Sequence, residues 1–104
     1  MFTQPFAIPA LILFIVAVPL AIGVIPRNRL YGFRTKRTLA DDALWYRVNR
    51  FAGFGIMIAS AIYYAVATAR PYDRDFSVWL VHLAAFAIPL ALAIIASGWY
   101  LRRQ

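Results

Sequence analysis

The sequence predicts an all-α integral membrane protein of three transmembrane helices, with its N-terminus outside and its C-terminus in the cytoplasm. A basic cytoplasmic loop joins the first two helices. Three observations carry that expectation. Of 104 residues, 63% are hydrophobic and 14% charged, with a mean hydropathy of +0.69, against about 45–50% apolar usage in soluble domains. The apolar residues gather into three long runs that a single small soluble core could not cover. The cations are unevenly shared between the connections, which is the pattern of the positive-inside bias.

The first run, residues 6–25, holds no charge and at ~1.5 Å per residue matches the roughly 30 Å hydrocarbon layer. A cleaved leader would have a cationic start and a small-residue cleavage site. Neither is present here, so residues 6–25 read as a membrane helix. Pro5 and Pro9 suit a first turn, whereas Pro19 is expected to bend the helix near its cytoplasmic end. Thr38, followed by Asp41 three positions later, has capping spacing, which predicts a second helix over residues 39–69 that begins in the cytoplasm. The third is expected over residues 77–101 with a kink at Pro89. All three belong to one membrane domain, residues 1–104.

Orientation follows from charge. The connection between the first two helices carries Arg27, Arg29, Arg34, Lys36, Arg37, Arg47 and Arg50 against Asp41 and Asp42, and the tail adds Arg102 and Arg103. The connection after residue 69 carries Arg70, Asp73, Arg74 and Asp75, which sum to zero. The basic connection is therefore expected inside and the neutral one outside. Tyr31, Trp45, Tyr46, Trp99 and Tyr100 would lie at the inner interface, Tyr72 and Trp79 at the outer one. The net charge of +7 is explained by these flanks and needs no nucleic acid partner.

At 100° per residue, Asp42, Trp45, Asn49, Gly53, Ser60 and Tyr64 share a narrow sector of the second helix. Small and polar residues in such a stripe allow close helix approach inside a bilayer, which makes Gly53, Ser60 and Tyr64 packing candidates. Its cytoplasmic end, with Arg50 beside it and Arg34 folded back from the loop, could instead line an anion site, because an arginine fork holds phosphate or carboxylate in two parallel hydrogen bonds. Residues 27–37 offer the same pair of readings. Simple charge would hold them at an anionic leaflet, at on the order of 1 kcal/mol per cation. Asn28, Gly32 and Thr35 are turn formers and argue for a folded loop.

The string Asn28-Arg29, Tyr31-Gly32-Phe33-Arg34-Thr35, Thr38-Leu39, Trp45, Asn49-Arg50 and Gly53 resembles the signature of the SdpI family of bacterial membrane proteins. The resemblance covers about a quarter of the chain. It implies a small multi-helix protein of the bacterial inner membrane, in a family whose namesake confers immunity to a secreted toxin and holds a transcriptional repressor at the membrane. Longer members carry further helices before this unit. The positions carried over as an anion- or partner-binding set are Asn28, Gly32, Arg34, Thr35, Trp45, Asn49 and Arg50.

No enzyme is expected. Cysteine is absent, and Asp41 and Asp42 are adjacent on a helix and diverge by about 100° rather than converge. The spans hold no Asp, Glu, Lys or Arg, which pumps and secondary transporters require. No cofactor and no metal are expected either. His82 is the only histidine and reads as an interfacial hydrogen-bonded residue, since haem or metal would need more ligands. Expected partners are membrane lipids with anionic headgroups, an acidic protein surface, a homo-oligomer or a larger complex. The competing functional reading is a structural accessory subunit of a respiratory or photosynthetic assembly.

Overall fold

The computed structural model describes residues 3–28 and 30–104. Among the described residues there are four helices and no strand: α1 (Ala7–Ile22), α2 (Lys36–Ala40), α3 (Asp42–Ala69) and α4 (Phe76–Arg102). α3 and α4 have 28 and 27 residues and are long and apolar enough to cross a bilayer. α1 is a shorter apolar helix of 16 residues, about 24 Å at the standard rise.

α1 stops short of the expected residue 25. Gly23 adopts a left-handed φ of 76°, its N–H reaches the Leu20 carbonyl at 3.2 Å, and the Val24 N–H reaches the Pro19 carbonyl at 3.2 Å. This is the paired bonding of a Schellman ending, which satisfies carbonyls that a helix end leaves bare. Hydropathy carries on through Val24 and Ile25, but the backbone there is committed elsewhere. Pro19 and Pro89 both lie inside continuous helices.

The second expected helix is divided. A separate turn, α2, is opened by Thr35: its hydroxyl accepts the Thr38 N–H at 3.2 Å while the Thr38 hydroxyl accepts the Thr35 N–H at 2.8 Å. Thr38 is therefore the inner half of a capping box, not the N-cap of the long helix. Asp41 breaks the helix in an extended conformation (φ −143°, ψ 113°) and accepts the Leu44 N–H at 3.2 Å, so α3 begins at Asp42. Two overlapping threonine signals stand three residues apart, and the earlier one wins because its box closes in both directions.

α3 is the central helix. It packs against α1 on one side and α4 on the other, and α1 and α4 scarcely meet. Small residues are buried along these contacts, with Ala7, Ala10, Ala17 and Ala21 on α1 and Ala52, Gly53, Ala59, Ser60 and Ala67 on α3. Large apolar side chains such as Ile12, Ile15, Ile58, Leu92 and Ile95 point outward. Small residues inside and large aliphatics outside invert the soluble pattern and suit helices solvated by lipid.

At the end away from the basic loop, polar bonds lock all three long helices. The Phe6 N–H donates to the Tyr63 hydroxyl at 3.0 Å, the Tyr63 hydroxyl bonds His82 Nδ1 at 2.9 Å, and His82 Nε2 bonds the Arg70 carbonyl at 2.7 Å. A carbonyl only accepts, so Nε2 carries the proton and, in the neutral ring, Nδ1 accepts from tyrosine. His82 is fully buried and hydrogen-bonded through both ring nitrogens, so the expected hydrogen bonding is present, in the packed interior between α3 and α4. Phe6 stacks on Phe86 with centroids 5.0 Å apart, and Gln4 accepts the Tyr72 N–H at 2.6 Å. Asp75 opens α4 by accepting the Ser77 N–H at 2.9 Å and its hydroxyl at 2.7 Å. These bonds hold the Asp75 carboxyl below its ordinary value, the hydroxyl bond foremost. The contribution of this cap is thus present above that ordinary value and is lost as pH falls through the lowered one.

Candidate functional site

The basic connection is folded, not a loose tether. Asn28 makes the first turn: its Oδ1 accepts the N–H groups of Leu30 at 2.9 Å and Tyr31 at 2.7 Å, and its Nδ2 donates to the Pro26 carbonyl at 2.8 Å. The chain then reverses at Gly32, whose φ is 111°. A Cβ there would stand 2.7 Å from Asn49 Oδ1 and 3.0 Å from the Trp45 ring, so glycine is required by both backbone conformation and space.

Beyond Gly32, Asn49 grips the backbone of Phe33 much as a neighbouring strand would. Its Oδ1 accepts the Phe33 N–H, and its Nδ2 donates to the carbonyls of Phe33 at 3.3 Å and Trp45 at 3.0 Å. Trp45, fully buried, donates from Nε1 to the Ile25 carbonyl at 2.9 Å. The Phe33 ring packs into a cluster with Leu44, Val48 and Leu101. Arg37 ties α2 to the end of α4 through the Leu101 carbonyl at 2.9 Å and the Gln104 carbonyl at 3.2 Å, which places a cation at a helix C-terminus, where the dipole favours it.

The candidate site residues thus divide by role. Gly32, Trp45 and Asn49 come together at one point, with Asn28 shaping the turn before it and Thr35 capping the helix after it. The polar groups of Asn28, Thr35, Trp45 and Asn49 are used within the fold. Arg34 and Arg50 are exposed, and the Arg50 guanidinium lies against Gly23 at the end of α1. Arg29 lies outside the described residues. Of the packing candidates, Gly53 faces the α1 backbone at Ala17 and Ala21, Ser60 is buried, and the half-buried Tyr64 donates its hydroxyl to the Ala7 carbonyl. Asp42, at the head of the stripe, is exposed and pairs with Arg27 at 3.4 Å.

Two contributors escaped the sequence reading. Phe33 is an anchor, for which its apolar character inside a basic segment was a usable signal. Arg37 as a tie to the chain end had none. The folded loop roofs an apolar cavity of about 320 Å³ between α1 and α4, with Tyr31, Gly32 and Phe33 above and Val16, Leu20 and Ile56 among its walls. Partial burial pushes the Tyr31 hydroxyl above its ordinary value. Among the described residues, no three His, Cys, Asp or Glu side chains stand close enough to hold a metal.

Two helices long enough to span, a shorter apolar partner and lipid-type packing define a helical membrane protein with a folded basic loop at one end. Within that class the loop supplies the finer identity. The chain belongs to the SdpI/YfhL protein family, whose model matches residues 24–99, covering the loop, α2, α3 and most of α4. No curated protein and no solved structure matches the chain.

Proposed function

We propose that this is a non-enzymatic SdpI-family protein of the bacterial inner membrane. It crosses the bilayer three times and offers its folded basic loop, at the cytoplasmic face, to an anionic lipid or protein partner in an immunity or stress-protection role. The observation that supports this most is the loop's architecture. A topology signal needs only charge, yet here a buried Trp, a buried Asn and a left-handed Gly hold one backbone conformation. Ordering a loop costs roughly 1–2 kcal/mol per residue in backbone entropy, which a mere anchor would not require. The two carboxylates at this end are engaged, Asp41 in a cap and Asp42 in an ion pair, which supports binding over acid–base chemistry.

Orientation is tested by reporters. A cytoplasm-active reporter fused after Gln104 should be active, and a periplasm-active one inserted at Tyr72 should be active. Periplasmic activity at Gln104 would sink the topology.

The site itself is tested by arginine-to-lysine exchange. Arg34→Lys and Arg50→Lys retain charge but lose the planar fork, and should abolish protection in a growth or toxin-challenge assay at normal protein level. Arg27→Lys and Arg29→Lys should not. Wild-type behaviour of all four variants would reduce the loop to a topology signal. If the protein instead co-purified stoichiometrically with a large assembly in mild detergent, it would be an accessory subunit.

A further inference from the structure

A second feature lies further around α3 from the Trp45–Asn49 contact, beginning at Arg50, whose guanidinium lies against Gly23. At 3.6 residues per turn, Arg47, Arg50 and Phe54 lie about 140–200° around the helix from Trp45. With Tyr46, Phe51 and Tyr100 of α4 they line a shallow pocket of about 340 Å³.

Its upper edge is cationic and unneutralised. Arg47 and Arg50 are one turn apart on the same face, an arrangement that disfavours two like charges. Neither acid at this end serves them, since Asp42 pairs with Arg27 and Asp41 caps α3. Arg47 is exposed and is steadied by one bond from Nε to Gln104 Oε1 at 3.0 Å, which does not use its two terminal nitrogens. Among the described residues, no hydrogen bond or ion pair engages those nitrogens or the Arg50 guanidinium.

Its lower edge is apolar. Phe51 stacks on Tyr100 with centroids 4.5 Å apart and planes at 7°, and Phe54, 52% exposed, stands one turn beyond Arg50, about 6 Å further along the axis. A free phosphate would use only the upper edge. A phospholipid presents an anionic phosphodiester above hydrocarbon in the same order and on the same scale.

We propose that this pocket binds an anionic phospholipid of the leaflet at the loop end. The Arg47 and Arg50 forks hold the phosphodiester oxygens, and an acyl chain runs down Phe51 and Phe54. The inference rests on the anionic-partner reading above, and it names the partner as lipid and places it at Arg47 and Arg50 of α3 rather than at Arg34 of the loop.

The test is native mass spectrometry of the full chain in mild detergent. It is titrated with phosphatidylglycerol, with phosphatidylcholine of the same chains, and with inorganic phosphate. Wild-type protein should retain phosphatidylglycerol about tenfold better than phosphatidylcholine, with no competition from phosphate at matched concentration. Arg47→Gln with Arg50→Gln should cost about tenfold in phosphatidylglycerol affinity, a difference of ~1.4 kcal/mol. The tail pair Arg102→Gln with Arg103→Gln, which removes equal charge, should stay within about twofold of wild type. Arg47→Lys with Arg50→Lys, which keeps the charge and spares the fold, should still lose several-fold.

Equal losses in the pocket and tail pairs, equal retention of phosphatidylcholine, effective competition by phosphate, or a wild-type lysine pair would each overturn the proposal. Loss only in Arg34→Gln with Lys36→Gln would overturn the pocket and leave the loop reading standing. No loss in any pair would remove both.

Discussion

Asn49→Leu is expected to release the basic loop from α3 while leaving the three long helices in place. Asn49 is 2% exposed and serves three backbone groups: the Phe33 N–H and the carbonyls of Phe33 and Trp45. Leucine fills nearly the same volume and makes the helix more apolar, so the effect isolates the hydrogen bonds. The Trp45 carbonyl keeps its helical partner and the Phe33 carbonyl keeps the Thr38 hydroxyl at 3.1 Å. The Phe33 N–H is the group left unpaired, at ~1–3 kcal/mol. A loss of ~2 kcal/mol raises the open population roughly thirtyfold, and cleavage follows that population when closing is fast. Trypsin should therefore cut after Arg34, Lys36 and Arg37 roughly thirtyfold faster in the variant, with cutting after Arg103 as the internal reference. Gly32→Ala should give a similar acceleration, and the double variant should add little, because both act on one contact. A wild-type cleavage rate in Asn49→Leu would show that the loop is held by charge and Phe33 alone.

Gly53→Val should separate α1 from α3 and leave little folded protein. Even the first added carbon is too much, since a Cβ at this position would lie 2.6 Å from the Ala21 nitrogen and 2.8 Å from the Ala17 oxygen. Both are backbone atoms of α1, so no rotamer change relieves the overlap and the helix itself must move. Overpacking costs ~1–3 kcal/mol where side chains can adjust, and here they cannot. The sign of a smaller change makes the test sharper. In a helix interior, glycine to alanine ordinarily stabilises by ~1 kcal/mol. Gly98→Ala, with nothing within 4 Å of its Cβ position, should accordingly raise the thermal midpoint in detergent. Gly53→Ala should lower it. A rise in both would mean that α1 does not approach α3 this closely.

The helical membrane class, the bounds of α4 and the end of α3 were legible because they depend on quantities that add along the chain. Hydropathy summed over a span places α4 at Phe76–Arg102 against an expected 77–101, and the end of α3 at Ala69 as expected. The gathering of cations into one connection is likewise a property of composition by segment. What composition could not decide was competition between equivalent local signals. Thr35 and Thr38 both carry capping spacing, and only the reciprocal bond between them selects the first and lets Asp41 break the helix.

Tertiary structure alone also assigned the motif residues their work. Asn49 meets Phe33 across 16 positions of sequence, and Trp45 meets Ile25 across 20. A polar residue beside arginines reads as a ligand contact until the chain folds back and supplies a backbone partner. By itself the sequence determined the all-helical apolar class of this protein, the extent of α4 and the connection that gathers its charge. The fold decided which polar groups turn inward to hold the loop and which arginines are left facing out, because that choice depends on distances between segments that no local pattern encodes.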